Sequence, residues 1–294
     1  MKIPAELAIT LAVVVREGSL EAAARALHVT QSAVSQRLAT LERLTGQVLL
    51  VRSRPVRATS AGDVVIRYAR QVEQLDADAA SALGLSDGDA ARLPIAVNAD
   101  SLATWLLAPL ARVSRLRGIL LDLHREDESH TAALLADGTV VAAVTTRATP
   151  VPGCTVTTLG RMTYRAVASP AFAERWLPPD AGPAGLATAL ARAPIVDFDA
   201  RDTLQTRWLE SRGVDPAAPP RHRVPSSAEF ASAIALGLGW GMLPAAQRRG
   251  LDLVALGEPE LAVTLHWQQW RLHSDHLDAL ASEVAAAAFA ALDQ

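Results

Sequence analysis

Between residues 30 and 37 the chain reads Thr30, Gln31, Ser32, Ala33, Val34, Ser35, Gln36, Arg37. A glutamine amide makes paired hydrogen bonds to an adenine edge, serine hydroxyls reach bases or phosphates, and a guanidinium adds a phosphate or guanine contact. Twenty residues further on, Arg52, Arg54 and Arg57 surround Pro55. That spacing suits a turn whose arginines bind phosphate or enter a minor groove. A different chemistry starts at Asn98, Asp100 and Ser101, which follow the apolar run LPIAV. Ser101 is read as capping the next helix, with the N–H groups of Ser101, Leu102 and Ala103 open to a carboxylate and Asp100 open to an ammonium. Plain capping by Asp100 or Ser101 explains the same residues. Glu126, Asp127 and Glu128 form an acidic run that either is solvated or pairs with a cation, Thr145 ends a strand and offers a hydroxyl, and Asp197 and Asp199 flank Phe198.

These groups need elements to hold them. AELAITLAVVV (5–15) has helical apolar spacing ended by Gly18; Ser19 caps LEAAARAL, and Thr30 caps a third helix. On that helix Val34, Leu38, Leu41 and Leu44 share one face, leaving Gln31, Ser32, Ser35 and Gln36 on another. VLLVRSRPVRATSAG reads as a short strand, a turn holding Arg52, Arg54, Pro55 and Arg57, and a second short strand. GDVVIRYARQVEQLDADAASAL reads as a long helix with Val65, Tyr68, Val72, Leu75 and Ala79 on one stripe, broken by Gly84–Asp89. Beyond it, strands LPIAVNAD, GILLDLHRED and VVAAVTT alternate with helices, then a second alternating run follows from MTYRAVAS to GWGMLP, and LAVTLHWQQWR returns. The expected body is α/β, with two lobes, crossings near Tyr164 and Val263, and ligand chemistry in a cleft at the carboxyl ends of its strands.

Charge follows the same division. Residues 1–60 hold eight Lys and Arg against four Glu, and the remainder holds twenty against twenty-seven acidic residues. A basic head suits phosphate and an acidic body suits a cation. The single cysteine, Cys154, rules out a disulfide framework, and no nearby histidine supports it as a nucleophile. The seven histidines lack zinc-ligand spacing, and the glycines from 237 to 241 lack the Lys-Ser/Thr partner of a phosphate loop. We therefore expect no catalytic residues, no metal and no cofactor, and, lacking a membrane span or a signal segment, a cytoplasmic protein.

The stretch from Glu17 to Gly62 resembles the winged helix-turn-helix of LysR-type transcriptional regulators. The resemblance rests on Ala23-Ala24, Gln31 to Ser35, Leu41-Glu42, Gly46, Arg52 and Thr59 to Gly62, with Leu50 replacing the usual Phe. TQSAVSQR, QVLLVRSRP, AVNADSLATWLL, HREDES, APIVDFDARD and SSAEF extend the resemblance to the ArgP/LysG branch. It implies a winged helix-turn-helix DNA-binding domain at 1–60, a linker and dimerisation helix at 61–89, and a two-lobed effector-binding domain, like a periplasmic binding protein, at 90–294. Lobe I would take 90–163 and 263–294, and lobe II 164–262. The fold class is then multi-domain α+β. The partners implied are double-stranded promoter DNA, L-lysine or L-arginine, a second or further copies of the chain as dimer or tetramer, and RNA polymerase. The function implied is control of a basic amino acid exporter gene in response to L-lysine or L-arginine. A LysR-type regulator with another effector is the alternative, and a solute-binding or enzymatic α/β protein with an incidental basic head is a third reading.

Overall fold

A computed structural model describes residues 2–51, 53–83, 85, 92–125, 128–177 and 182–294. In chain order the first elements are α1 (Ala5–Glu17), α2 (Leu20–Ala26), α3 (Gln31–Thr45), β1 (Leu50–Val51), β2 (Arg57–Ala58) and α4 (Ser60–Ala82). Next come β3 (Arg92–Val97), α5 (Ala99–Ser101), a π-helical segment (Leu102–Leu106), α6 (Leu107–Arg117), β4 (Leu120–Arg125), α7 (Glu128–Asp137), β5 (Ala142–Thr145) and β6 (Cys154–Ala168). The chain continues through α8 (Pro170–Trp176), α9 (Pro183–Leu190), β7 (Ile195–Asp197), α10 (Leu204–Ser211), β8 (Arg221–Arg223), α11 (Ser227–Ala235) and β9 (Gly241–Pro244). It finishes with α12 (Ala245–Arg248), β10 (Val254–Ala255), β11 (Leu261–Trp270) and α13 (Asp275–Ala291). No helix among the described residues is long and apolar enough to cross a membrane.

Two compact units result. The first comprises Met1–Val97, Ala111–Thr157 and Trp267–Ser282. Its head is built as the apolar spacing dictates: Ala8, Leu11 and Val14 of α1, Ala23 and Ala24 of α2, and Val34, Leu38 and Leu41 of α3 are buried together. Ser19 accepts from Ala22 N at 3.1 Å and Thr30 from Ala33 N at 3.2 Å, so both expected caps form. Leu44, expected on the buried face, is 37 % exposed. It lies in the last turn of α3, where the left-handed Gly46 cap turns the chain away from the core. The linker stripe also differs. Val65, Ile66 and Ala69 enter the head core, while Leu75 is 43 % exposed and Ala79 is exposed, because α4 runs on past the elements it packs against. In the same unit β3 pairs in parallel with β4 and β5.

The second unit comprises Asn98–Leu110, Thr158–His266 and Glu283–Gln294. There β6 pairs antiparallel with β9 and β10, and β7 pairs in parallel with β8. Its core gathers Val167, Val196, Phe230, Ile234 and Leu243. Gly239 and Gly241 permit close packing: a Cβ at Gly239 would lie 2.8 Å from the Pro194 carbonyl, and one at Gly241 2.7 Å from Ile234 Cδ1. Strands β6 and β11 each begin in one unit and end in the other.

Candidate DNA-reading helix and effector station

The α3 face is set by its core side. With Val34 and Leu38 buried, Gln31, Ser32, Ser35 and Gln36 are exposed on the first two turns. Thr30 is exposed too, and its hydroxyl is committed to the cap and to Ser32 Oγ at 2.9 Å. Arg37 behaves differently from its neighbours: it is half-buried, ion-paired with Glu6 and within 3.4 Å of Thr10 Oγ1, so it ties α3 to α1.

The wing is built from residues remote in sequence. Leu49 N donates to Glu42 Oε1 at 2.9 Å, Thr59 Oγ1 donates to Val48 O at 2.7 Å, and Gly62 N donates to Thr59 Oγ1 at 3.1 Å. Val56 N donates to Gly18 O at 2.9 Å, which anchors the wing's turn to the end of α1. Arg54 and Arg57 stand exposed on it. Arg52 lies outside the described residues.

In the second unit the helix after β3 starts at Ala99, with Asn98 as its cap residue and no side-chain cap bond. This corrects two expectations. Ser101 is already helical and caps nothing, and Leu102 N donates to Asn98 O at 3.1 Å, so its N–H is not open to a ligand. The helix begins as soon as the strand ends, one turn earlier than a Ser101 cap requires. Asp100 does not cap either. Its carboxylate accepts from Tyr164 Oη at 2.8 Å, Ser227 Oγ at 3.1 Å and Gln247 Nε2 at 3.2 Å. Three neutral donors from β6, α11 and α12 thus orient one partly exposed carboxylate without cancelling its charge. Burial, followed by the Asp100 charge, holds the Tyr164 phenol well above its ordinary pKa. Beside it, Asn98 Oδ1, Ser101 Oγ and Trp105 Nε1 are buried with no hydrogen-bond partner among the described residues. Their spacing of three and four residues puts all three on one side of the helix.

Asp197 and Asp199 belong to the same unit but are engaged. Asp197 is buried and receives Arg221 Nη1 at 2.9 and 2.8 Å on its two oxygens, while Asp199 Oδ1 accepts from Arg201 N at 2.7 Å and Asp202 N at 3.2 Å. Thr145 is buried at the end of β5 in the first unit, and its hydroxyl accepts from Arg147 N at 3.2 Å. Glu126 and Asp127 lie outside the described residues, and Glu128 opens α7. Tyr164, Ser227 and Gln247 were not singled out as site residues by sequence. Cys154 is buried, and burial raises its thiol pKa, as suits an inert side chain. Among the described residues no cluster of His, Cys, Asp or Glu could hold a metal ion.

A helix-turn-helix head with a wing, carried by a long helix from an α/β body, defines the class: a DNA-binding regulator that joins a promoter-reading head to a small-molecule domain. Residues 6–63 match the family described as bacterial regulatory helix-turn-helix protein, lysR family, and residues 86–289 match the LysR substrate binding domain. The chain belongs to the LysR-type transcriptional regulators and is not an enzyme. It is 42 % identical over 289 residues to the lysine export transcriptional regulatory protein LysG of Corynebacterium efficiens, covering 96 % of this chain and 97 % of that protein. Full-length LysG from Corynebacterium glutamicum with bound effector Arg has a TM-score of 0.85 and 36 % identity, covering 99 % of this chain and 100 % of that one. The crystal structure of ArgP from Mycobacterium tuberculosis has a TM-score of 0.87 and 41 % identity, covering 98 % of each chain.

Proposed function

We propose that this regulator senses L-lysine and L-arginine and controls a gene for basic amino acid export. The reading is carried by the full-length likeness to a relative that binds arginine. The uncompensated Asp100 carboxylate, held by neutral donors, agrees with a cationic ligand. In this reading Gln31, Ser32, Ser35 and Gln36 meet base edges, and Thr30, Arg52, Arg54 and Arg57 meet the backbone. Arg37 orients the reading helix through Glu6. Asn98, Asp100 and Ser101 take the ligand's polar head, joined by Leu102 as a packing contact. Glu126, Asp127 and Glu128 supply negative charge for its side chain. Thr145, Asp197 and Asp199 complete the shell, Asp197 acting through Arg221.

The protein works in the cytoplasm as a dimer or tetramer, with its DNA-binding domain at 1–60, linker at 61–89 and effector domain from 90 (lobe I 90–163 and 263–294, lobe II 164–262). Ligand binding shifts a population between two arrangements of the heads on promoter DNA, where RNA polymerase is engaged. The test is footprinting of the purified protein on its own upstream DNA, titrated with lysine, arginine, histidine and leucine. A footprint altered by lysine and arginine and unmoved by leucine is the expected result. Specific DNA binding indifferent to all four amino acids would overturn the effector assignment and favour a different small molecule.

A further inference from the structure

Polar residues on a linker helix face solvent by default, yet Arg67 and Arg70 of α4 reach loops of the effector domain. Arg67 Nη1 donates to Pro152 O at 2.7 Å. Arg70 Nη1 donates to Thr139 Oγ1 at 3.1 Å and to Asp137 O at 3.4 Å, with Asp137 Oδ1 at 3.9 Å. Both receiving turns hold a left-handed glycine, Gly138 at φ +80° and Gly153 at φ +82°. A Cβ at Gly138 would stand 3.1 Å from Trp270 Cζ2, 3.2 Å from Arg67 Cα and 3.3 Å from Arg70 Cδ. Bare backbone is what lets the helix and the indole close on the same turn. The contact is desolvated enough to lower the Arg70 pKa and to raise that of Asp63 nearby.

The two turns are pinned by the end of β11. Trp270 is buried; its backbone N donates to Val141 O at 3.0 Å, and its Nε1 donates to Leu135 O at 3.3 Å. Arg271 N donates to Gly153 O at 2.9 Å. On its other side the same stretch of α4 belongs to the head: Val65, Ile66 and Ala69 are in the head core, and Tyr68 Oη donates to Ile3 O at 3.2 Å. Six residues of one helix therefore grip the DNA-binding head and the effector domain at once.

We propose that Arg67 and Arg70, with the turns at 137–139 and 151–153, form an intrachain clasp that couples the effector domain to the DNA-binding head. Strand β11 feeds it, since the strand starts in the unit that holds Asp100 and ends at Trp270. Making and releasing the clasp is the two-state element that both sites bias. The proposal rests on the lysine and arginine reading only for the ligand used to trigger it.

The test compares the full-length protein with an Arg67→Ala/Arg70→Ala variant and with Arg70→Lys. Three quantities are measured: amide exchange over residues 63–72 and 135–141, arginine affinity, and DNA affinity with and without saturating arginine. The double variant is expected to exchange at least about tenfold faster at both stretches, as local opening becomes cheaper. By the same linkage its arginine affinity should shift to that of the released state, and any arginine-dependent change in DNA affinity, about 5- to 150-fold in typical coupled systems, should fall below about twofold. Arg70→Lys, which keeps charge and loses the fork, should lie between. Unchanged exchange, or an undiminished arginine effect on DNA affinity, would overturn the clasp. A parent protein deaf to arginine overturns the effector reading alone, and the exchange rates then decide the clasp.

Discussion

Removing the Tyr164 hydroxyl and the Asp100 carboxylate, separately and together, tests whether the effector station is one coupled unit. Tyr164 is 4 % exposed, and its Oη sits 2.8 Å from an Asp100 oxygen. A hydrogen bond to a charged acceptor contributes about 1.5–3 kcal/mol, and a buried donor left without an acceptor costs about 1–3 kcal/mol. Tyr164→Phe leaves Asp100 with Ser227 and Gln247 and with access to water, so the low end applies, about 1.5 kcal/mol. Asp100→Ala strands the Tyr164 and Ser227 hydroxyls, both nearly buried, and should cost about 2–4 kcal/mol. The double variant should be more stable than the sum of the two losses predicts by about 1.5–2 kcal/mol, because the stranded phenol is gone. Urea unfolding followed by tryptophan fluorescence reads this, since Trp208 and Trp240 are buried in the same unit. Losses that add to within about 0.5 kcal/mol would refute the coupling and leave Tyr164 as ordinary packing.

Gly62→Ala would drive a Cβ into the Leu49 carbonyl oxygen, so the wing must leave α4; a loss of about 2 kcal/mol in head stability and weaker specific DNA binding are expected, read by thermal melting and gel shift. Arg54→Ala and Arg57→Ala should each flatten the slope of log K against log salt by about 0.9 and weaken all DNA sequences alike, measured by fluorescence anisotropy across a salt series. Tyr164 should also shape alkaline stability. Its folded pKa is raised by burial and by Asp100, so its contribution is whole below the ordinary value of about 10 and is lost as pH rises through the folded value. Tyr164→Phe should therefore remove part of the alkaline decline in melting temperature.

Local rules made much of the head legible. Ser19 and Thr30 cap because their hydroxyls reach N–H groups three residues on, and the 3.6-residue period found Val34, Leu38 and Leu41. The same period overreached at Leu44, Leu75 and Ala79, because it reports where an apolar residue points and not whether a neighbour is there to cover it. At the effector station the sequence singled out Asp100 but not its donors. Tyr164, Ser227 and Gln247 lie 64, 127 and 147 residues away, and nothing local distinguishes them from any tyrosine, helix-capping serine or surface glutamine. Ser101 was misassigned as a cap because a helix that begins directly at a strand's end leaves no separate signal. The arginines at 67 and 70 look like the solvated side of a linker until the left-handed turns that meet them are known.

The interleaving of the two units also dictates an order of birth. The head is made from α1 to α4, so its core can close while the ribosome is still making the effector domain. The second unit instead draws on three separate stretches and is sealed only by residues 283–294, where Arg161 N donates to Asp293 O at 2.6 Å and Asp293 N returns to Arg161 O at 3.0 Å. For much of its synthesis the nascent chain thus carries a folded promoter reader attached to a sensor that cannot yet assemble. Contacts of such long sequence separation form slowly, which makes the late-closing unit the part most in need of a chaperone and least tolerant of truncation.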